Sequence, residues 1–194
     1  MEDNLESLIQ EFQKSYKYLS GHFKSLNWKD LSSDEKKSQI GKSDLYSLAK
    51  QIVERLSPEV LASKDDRFHT FGHQLTTVFK YVQDKDGLLK IAKTYEQLGE
   101  YYYAGDIYLL SSDRESIVGF ISRSIRNPKS IYVGVSTLKK LKNRPPGLVE
   151  MSFFKAFNFG KYDLAIDIAY LKKDKWKEEE ILGAVGLPQN STVL

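Results

Sequence analysis

Apolar residues recur at helical spacing along most of this chain. Residues 88–113, LLKIAKTYEQLGEYYYAGDIYLLSSD, show the pattern most clearly. Leu88, Ile91, Ala92, Tyr95 and Leu98 form one stripe before Gly99, and Tyr101, Ala104, Ile107, Tyr108 and Leu110 form another after it. A Gly at a helix end can take the left-handed backbone conformation that a C-cap needs, and a small residue such as Ala104 lets two helix axes come close. The pattern predicts two short helices folded back on each other at Gly99. Such a hairpin buries one face and stacks on its neighbours.

The same spacing organises the rest of the chain. In residues 4–26, Leu5, Phe12, Leu19 and Leu26 recur every seven residues, with Leu8, Ile9, Tyr16 and Phe23 in the intervening turns. A homodimeric coiled coil through Leu5–Leu26 and a helix packed on its own domain both fit. Ser15 at an expected core position and Gly21 favour the second. Trp28 and Leu31 anchor a turn. Ser32 and Glu35 offer a capping box for a short helix to Ile40, which Gly41 ends. Ser43 can cap the next helix, striped by Leu45, Leu48, Ala49, Ile52, Val53 and Leu56. Ser57-Pro58 opens a short piece over 59–63. A helix over 65–83 follows, with acidic residues at its start to suit the helix dipole. Helices are expected over 114–126 and 129–141, broken at Asn127-Pro128. Ile131 to Val135 is β-branched and contains Gly134, so a strand competes there, but no second strand candidate exists to pair with it. NRPPG at 143–147 reads as a linker. Helices over 148–159 and 162–171 fold back at Gly160, and a last one runs from about Asp174 to Val185.

The two glycines can be set in register. Tyr101, Ala104 and Tyr108 stand two, five and nine residues after Gly99; Tyr162, Ala165 and Ala169 stand at the same places after Gly160. AKTYEQLGEYYYAGDIY and FFKAFNFGKYDLAIDIA resemble the centre of tetratricopeptide repeats. In that family a Gly sits between paired helices, an aromatic follows two residues later, and a small Ala packs the second helix. The spacing of 61 residues exceeds that family's period of about 34. It leaves room for one degenerate hairpin, which residues 114–141 supply. The expected fold is all-α: stacked antiparallel helical hairpins, an irregular α-solenoid over 85–194, preceded by a helical part over 1–84 in one continuous domain. The resemblance implies protein or peptide binding and no catalysis.

Composition narrows the chemistry. The 194 residues include no Cys, which removes disulfides, thiolate metal sites and Cys nucleophiles. No run of about 18 apolar residues exists, so no membrane span is expected. The N-terminus MEDNLESLIQEF is acidic and amphipathic rather than a secretory signal. A cytoplasmic protein without a cofactor is expected. The net charge is +3, unevenly spread. Between Ser116 and Val149 there is no Asp or Glu, while Arg123, Arg126, Lys129, Lys139, Lys140, Lys142 and Arg144 give that window +7. Such a patch can neutralise phosphates and bind nucleic acid in a salt-dependent way. A solvated face is the plainer reading, and few aromatics interleave the charges.

Two further groups carry candidate chemistry. Asp66, His69 and His73 lie at steps of three and four on one helical stripe, a spacing used to hold zinc. HTFGH lacks the Glu that a metalloprotease helix needs directly after its first His, so surface or half-buried histidines capped by an Asp are the plainer reading. In the cluster Tyr101, Tyr102, Tyr103 and Tyr108, three consecutive tyrosines cannot share one helix face, so at least one is expected outside, where Tyr favours partner contacts, although sealing of neighbouring hairpins is the plainer reading. The charge run at 172–180, KKDKWKEEE, reads as a polar capping helix. No phosphate loop, nucleophile elbow or catalytic acid pair is present. The expected function is a non-enzymatic interaction module for a protein partner, with nucleic-acid association through the basic segment 116–149 as the alternative.

Overall fold

The computed structural model describes residues 2–25, 32–64 and 70–171. Among the described residues every regular element is an α-helix: α1 (Glu2–Ser25), α2 (Ser33–Lys42), α3 (Asp44–Glu54), α4 (Pro58–Lys64), α5 (Thr70–Val82), α6 (Lys85–Leu98), α7 (Tyr101–Ser111), α8 (Arg114–Ser124), α9 (Ile131–Lys140), α10 (Pro146–Asn158) and α11 (Tyr162–Tyr170). Ile131 to Val135 belong to a helix, so the competing strand is not formed. Trp28, Leu31, the 65–69 start expected for α5, and the last helix with the charge run 172–180 lie outside the described residues.

The chain divides into two compact units, Met1–Ser116 and Ile117–Leu194. In the first unit α6 is the central element, packed against α3, α4, α5 and α7. Its Leu88, Ile91, Ala92 and Tyr95 are buried, as the stripe requires. Two glycines permit the close approach. A Cβ on Gly72 of α5 would collide with the Tyr95 hydroxyl, and one on Gly87 of α6 with the Phe79 ring. Lys90 of α6 donates to the Glu54 carbonyl at the end of α3, 2.8 Å away. On α1, Ile9 and Phe12 are buried, the helix packs on α3, and the Phe12 ring meets Phe71 of α5 edge-on at 6.2 Å.

In the second unit α10 and α11 form a hairpin, with α9 against α10. Phe120, Ile121, Ile125, Ile131 and Leu138 are fully buried. Gly134 lets α9 sit on Ser124 and Ile125, whose atoms a Cβ would meet at 2.9 Å. The interhelical break is wider than the sequence predicts: α8 ends at Ser124 and α9 starts at Ile131. Pro128 has no N–H to continue a helix, and the Ser130 hydroxyl donates back to the Ser124 carbonyl at 3.1 Å.

The turns at Gly99 and Gly160 have the same construction. Both glycines are left-handed, with φ of 87° and 68°. Gly99 N–H donates to the Glu96 carbonyl and Glu100 N–H to the Tyr95 carbonyl; Gly160 N–H donates to Phe157 and Lys161 N–H to Ala156. Each pair is a Schellman motif, which satisfies carbonyls that a helix end leaves unpaired. Ala104 and Ala165, five residues after each Gly, are completely buried.

Candidate binding cleft

The first unit contains a cleft of about 590 Å³ lined by side chains from α1, α2, α3, α5, α6 and α7. Helical spacing places its walls. On α7, Tyr103, Ile107 and Leu110 fall at steps of four and three, so one face of the helix looks into the cleft. On α5 the corresponding face carries His73, Thr77 and Lys80. On α1 it carries Tyr16, Leu19 and Ser20. Ile40, Leu45, Val78 and Tyr95 are buried side chains that close it from within.

The cleft is amphipathic. Its aromatic and aliphatic side comes from α6 and α7, where the Tyr95 and Tyr103 rings stack at 5.7 Å with 25° between their planes. Its polar side is the α5 ladder. The Thr77 hydroxyl donates to the His73 carbonyl at 2.8 Å, the Thr76 hydroxyl to the Gly72 carbonyl at 2.8 Å, and Thr77 shares a hydrogen bond with the Tyr16 phenol. Burial raises the Tyr16 pKa above its ordinary value against the opposing pull of that hydrogen bond, with Tyr81 adding to the rise. His73 and Lys80 are exposed at the rim, as is Asp106 of α7. This arrangement can hold an apolar body and orient a polar end. None of its members stands out as a nucleophile with a matched base.

The sequence candidates separate in three dimensions. Among the tyrosines, Tyr103 lines the cleft and Tyr102 is 67% exposed. Tyr101 is half-buried. Tyr108, expected with them as a partner contact, is fully buried and donates to the Glu96 carboxylate at 2.8 Å. It is a hairpin core residue, because its position on α7 faces α6. The +7 window is partly paired within the fold. Acids remote in sequence return to it from α11: Lys139 pairs with Asp167 at 2.7 Å, and the Tyr132 hydroxyl donates to both Asp163 oxygens at 3.2 Å. Lys161 lies over the Tyr132 ring at 5.7 Å. Arg144 turns back to α9 and donates to the Leu138 and Lys139 carbonyls, at 3.2 and 2.7 Å, closing the helix end. Arg123 and Lys140 also have interactions within the chain. Arg126, Lys129 and Lys142 are exposed.

Of the zinc-spaced trio, Asp66 and His69 lie outside the described residues and His73 stands at the cleft rim. Among the described residues no three His, Cys, Asp or Glu side chains cluster as a metal site, and no helix is long and apolar enough to cross a membrane.

Sequence reasoning missed the cleft and also a surface on the second hairpin. There Phe153 anchors Phe154 edge-on at 5.6 Å and Phe157 stacked at 6.4 Å, and Phe157 meets Tyr162 at 5.5 Å. Phe154 is 56% and Tyr162 46% exposed. The aromatic run at 153–159 was visible, but which rings turn outward depends on how α10 meets α11. No family model, curated protein or solved structure matches the chain.

Proposed function

We propose that this protein is a non-enzymatic helical-hairpin interaction module, built in the manner of tetratricopeptide hairpins, that holds a protein partner. The observation that carries this reading is the pair of outward rings Phe154 and Tyr162, 56% and 46% exposed and held from beneath by Phe153 and Phe157, on a hairpin whose backbone is satisfied by its own helices and its Schellman turn. Exposed, pre-positioned aromatic rings offer large contact area at small conformational cost, which is what interface anchors require. Tyr102 gives the first hairpin a comparable outward ring.

A photo-crosslinking amino acid placed at Phe154, Tyr162 or Tyr102 tests this in cells. A discrete protein adduct is expected at these positions and none at Gln51, an exposed polar site on α3. Absence of adducts at all three positions, or equal labelling at Gln51, removes the reading.

A second reading has its own support. Residues 117–171 carry nine Lys and Arg against three acids. A polyanion such as RNA would meet Arg126, Lys129 and Lys142. Retention on a heparin column that falls steeply with salt and is lost on reversing these three to Glu supports it. Salt-independent behaviour eliminates it.

A further inference from the structure

We infer that the cleft of the first unit is a binding site for a small amphipathic anion: a hydrocarbon or aromatic body of modest size bearing one carboxylate or similar group. This goes beyond the partner surface on the second hairpin and does not depend on it.

Size comes first. A cavity of about 590 Å³ falls in the range of roughly 300–1,000 Å³ usual for small-molecule sites. Six helices line it, so a small body can be met from several sides at once. The shape of the chemistry comes next. Buried Tyr95 and Ile107, with the more exposed Tyr103 and Leu110, form the apolar side. The polar groups lie along α5 on the other side, where Thr77 is already hydrogen-bonded to the backbone and to Tyr16. An apolar body is therefore compatible with the site without leaving those hydroxyls unpaired.

The charge of the polar end follows from the rim. Lys80 and His73 stand two turns apart on the same α5 face, both exposed, and Lys80 brings a basic side chain to the mouth. Asp106 is the rim's acid, on α7, and it has interactions within the fold. A headgroup seated on the α5 side meets the cation. An extended peptide suits the cleft poorly: it would bring backbone N–H and C=O groups against helices whose own backbone bonds are internal, with no sheet edge among the described residues to pair them.

The test uses the full chain and two probes with one tail, dodecanoate and dodecylamine, each below its micelle concentration. Calorimetric titration gives affinity and stoichiometry. Methyl NMR of Val78, Ile107 and Leu110 reports both location and integrity of the fold. Dodecanoate is expected to bind once per chain and shift those methyls, with dodecylamine about tenfold weaker. Lys80→Glu should abolish or invert that preference while leaving the free protein's methyl spectrum dispersed. Ile107→Trp, which fills the cleft, should remove binding of both; Leu110→Trp at the rim does the same without altering a buried position. No saturable binding, equal affinity for the two headgroups, or binding indifferent to Lys80→Glu and Leu110→Trp overturns the inference.

Discussion

Asp84 serves two helices with one carboxylate. Its Oδ1 accepts the Gly87 N–H at 3.0 Å and so caps α6, while its Oδ2 accepts the Tyr46 hydroxyl of α3 at 2.7 Å. That hydrogen bond, then burial, then the charge of Asp84 push the Tyr46 pKa up to about 12. An unfolded Tyr ionises near about 10, so the folded state holds its proton where the unfolded state has lost it. The contribution is fully present below pH 10 and disappears as pH rises from about 10 to about 12. Melting temperature should fall across that window in the wild type, and Tyr46→Phe should flatten that part of the profile; an unchanged slope in the variant would assign the fall to other groups. Asp84→Ala should cost about 1–2 kcal/mol in urea denaturation, since it removes the cap as well as the tertiary bond. Residue-scale chemistry was only partly legible. The Ser32–Glu35 capping box forms as its spacing predicts. Ser43 stands at the expected cap position of α3, yet its hydroxyl donates backward to the Ile40 carbonyl at 2.7 Å and closes α2 instead. A hydroxyl between two helices can serve either, and only the turn geometry decides which.

At the scale of elements, two kinds of glycine do different work. Gly99 and Gly160 have open space around the position of a Cβ but a positive φ. Replacing either by Ala should cost about 1–2 kcal/mol through the backbone alone, with similar values at the two turns. Gly72 has an ordinary backbone but no room, because the Tyr95 hydroxyl occupies the place of a side chain. Gly72→Ala must displace a fully buried Tyr that also stacks on Tyr103, and should cost about 1–3 kcal/mol. A second mutation, Tyr95→Phe, removes the clashing oxygen and should recover part of that loss, whereas it should not help Gly99→Ala. Urea denaturation of these single and double variants separates backbone strain from overpacking. Both turn glycines were legible because a C-cap is a local event, marked by the stripes on either side. Gly72 was not, because its partner lies on another helix.

Across the whole molecule, each unit has its own buried set of side chains. Amide exchange should reflect this: Asp84→Ala is expected to lower protection in α3, α5 and α6 while leaving α9 to α11 close to wild type, and a uniform loss would contradict separate cores. Charge is also divided. The acid-free window of the sequence is not acid-free in space, since Asp163 and Asp167 come back to Tyr132 and Lys139 from 31 and 28 residues away. Counting charges along a segment sees only neighbours in the chain, so it could not show these two contacts. The helices, their stripes, the capping box and the two glycine turns were determined by the sequence itself, because helical hydrogen bonds and caps connect residues three to five apart. Tertiary structure alone decided that Tyr108 is core while Phe154 and Tyr162 face solvent, that Tyr46 shares the carboxylate of Asp84, and that six helices leave a cleft between them. Each of these depends on which faces meet, and that is set by packing between elements far apart in the chain.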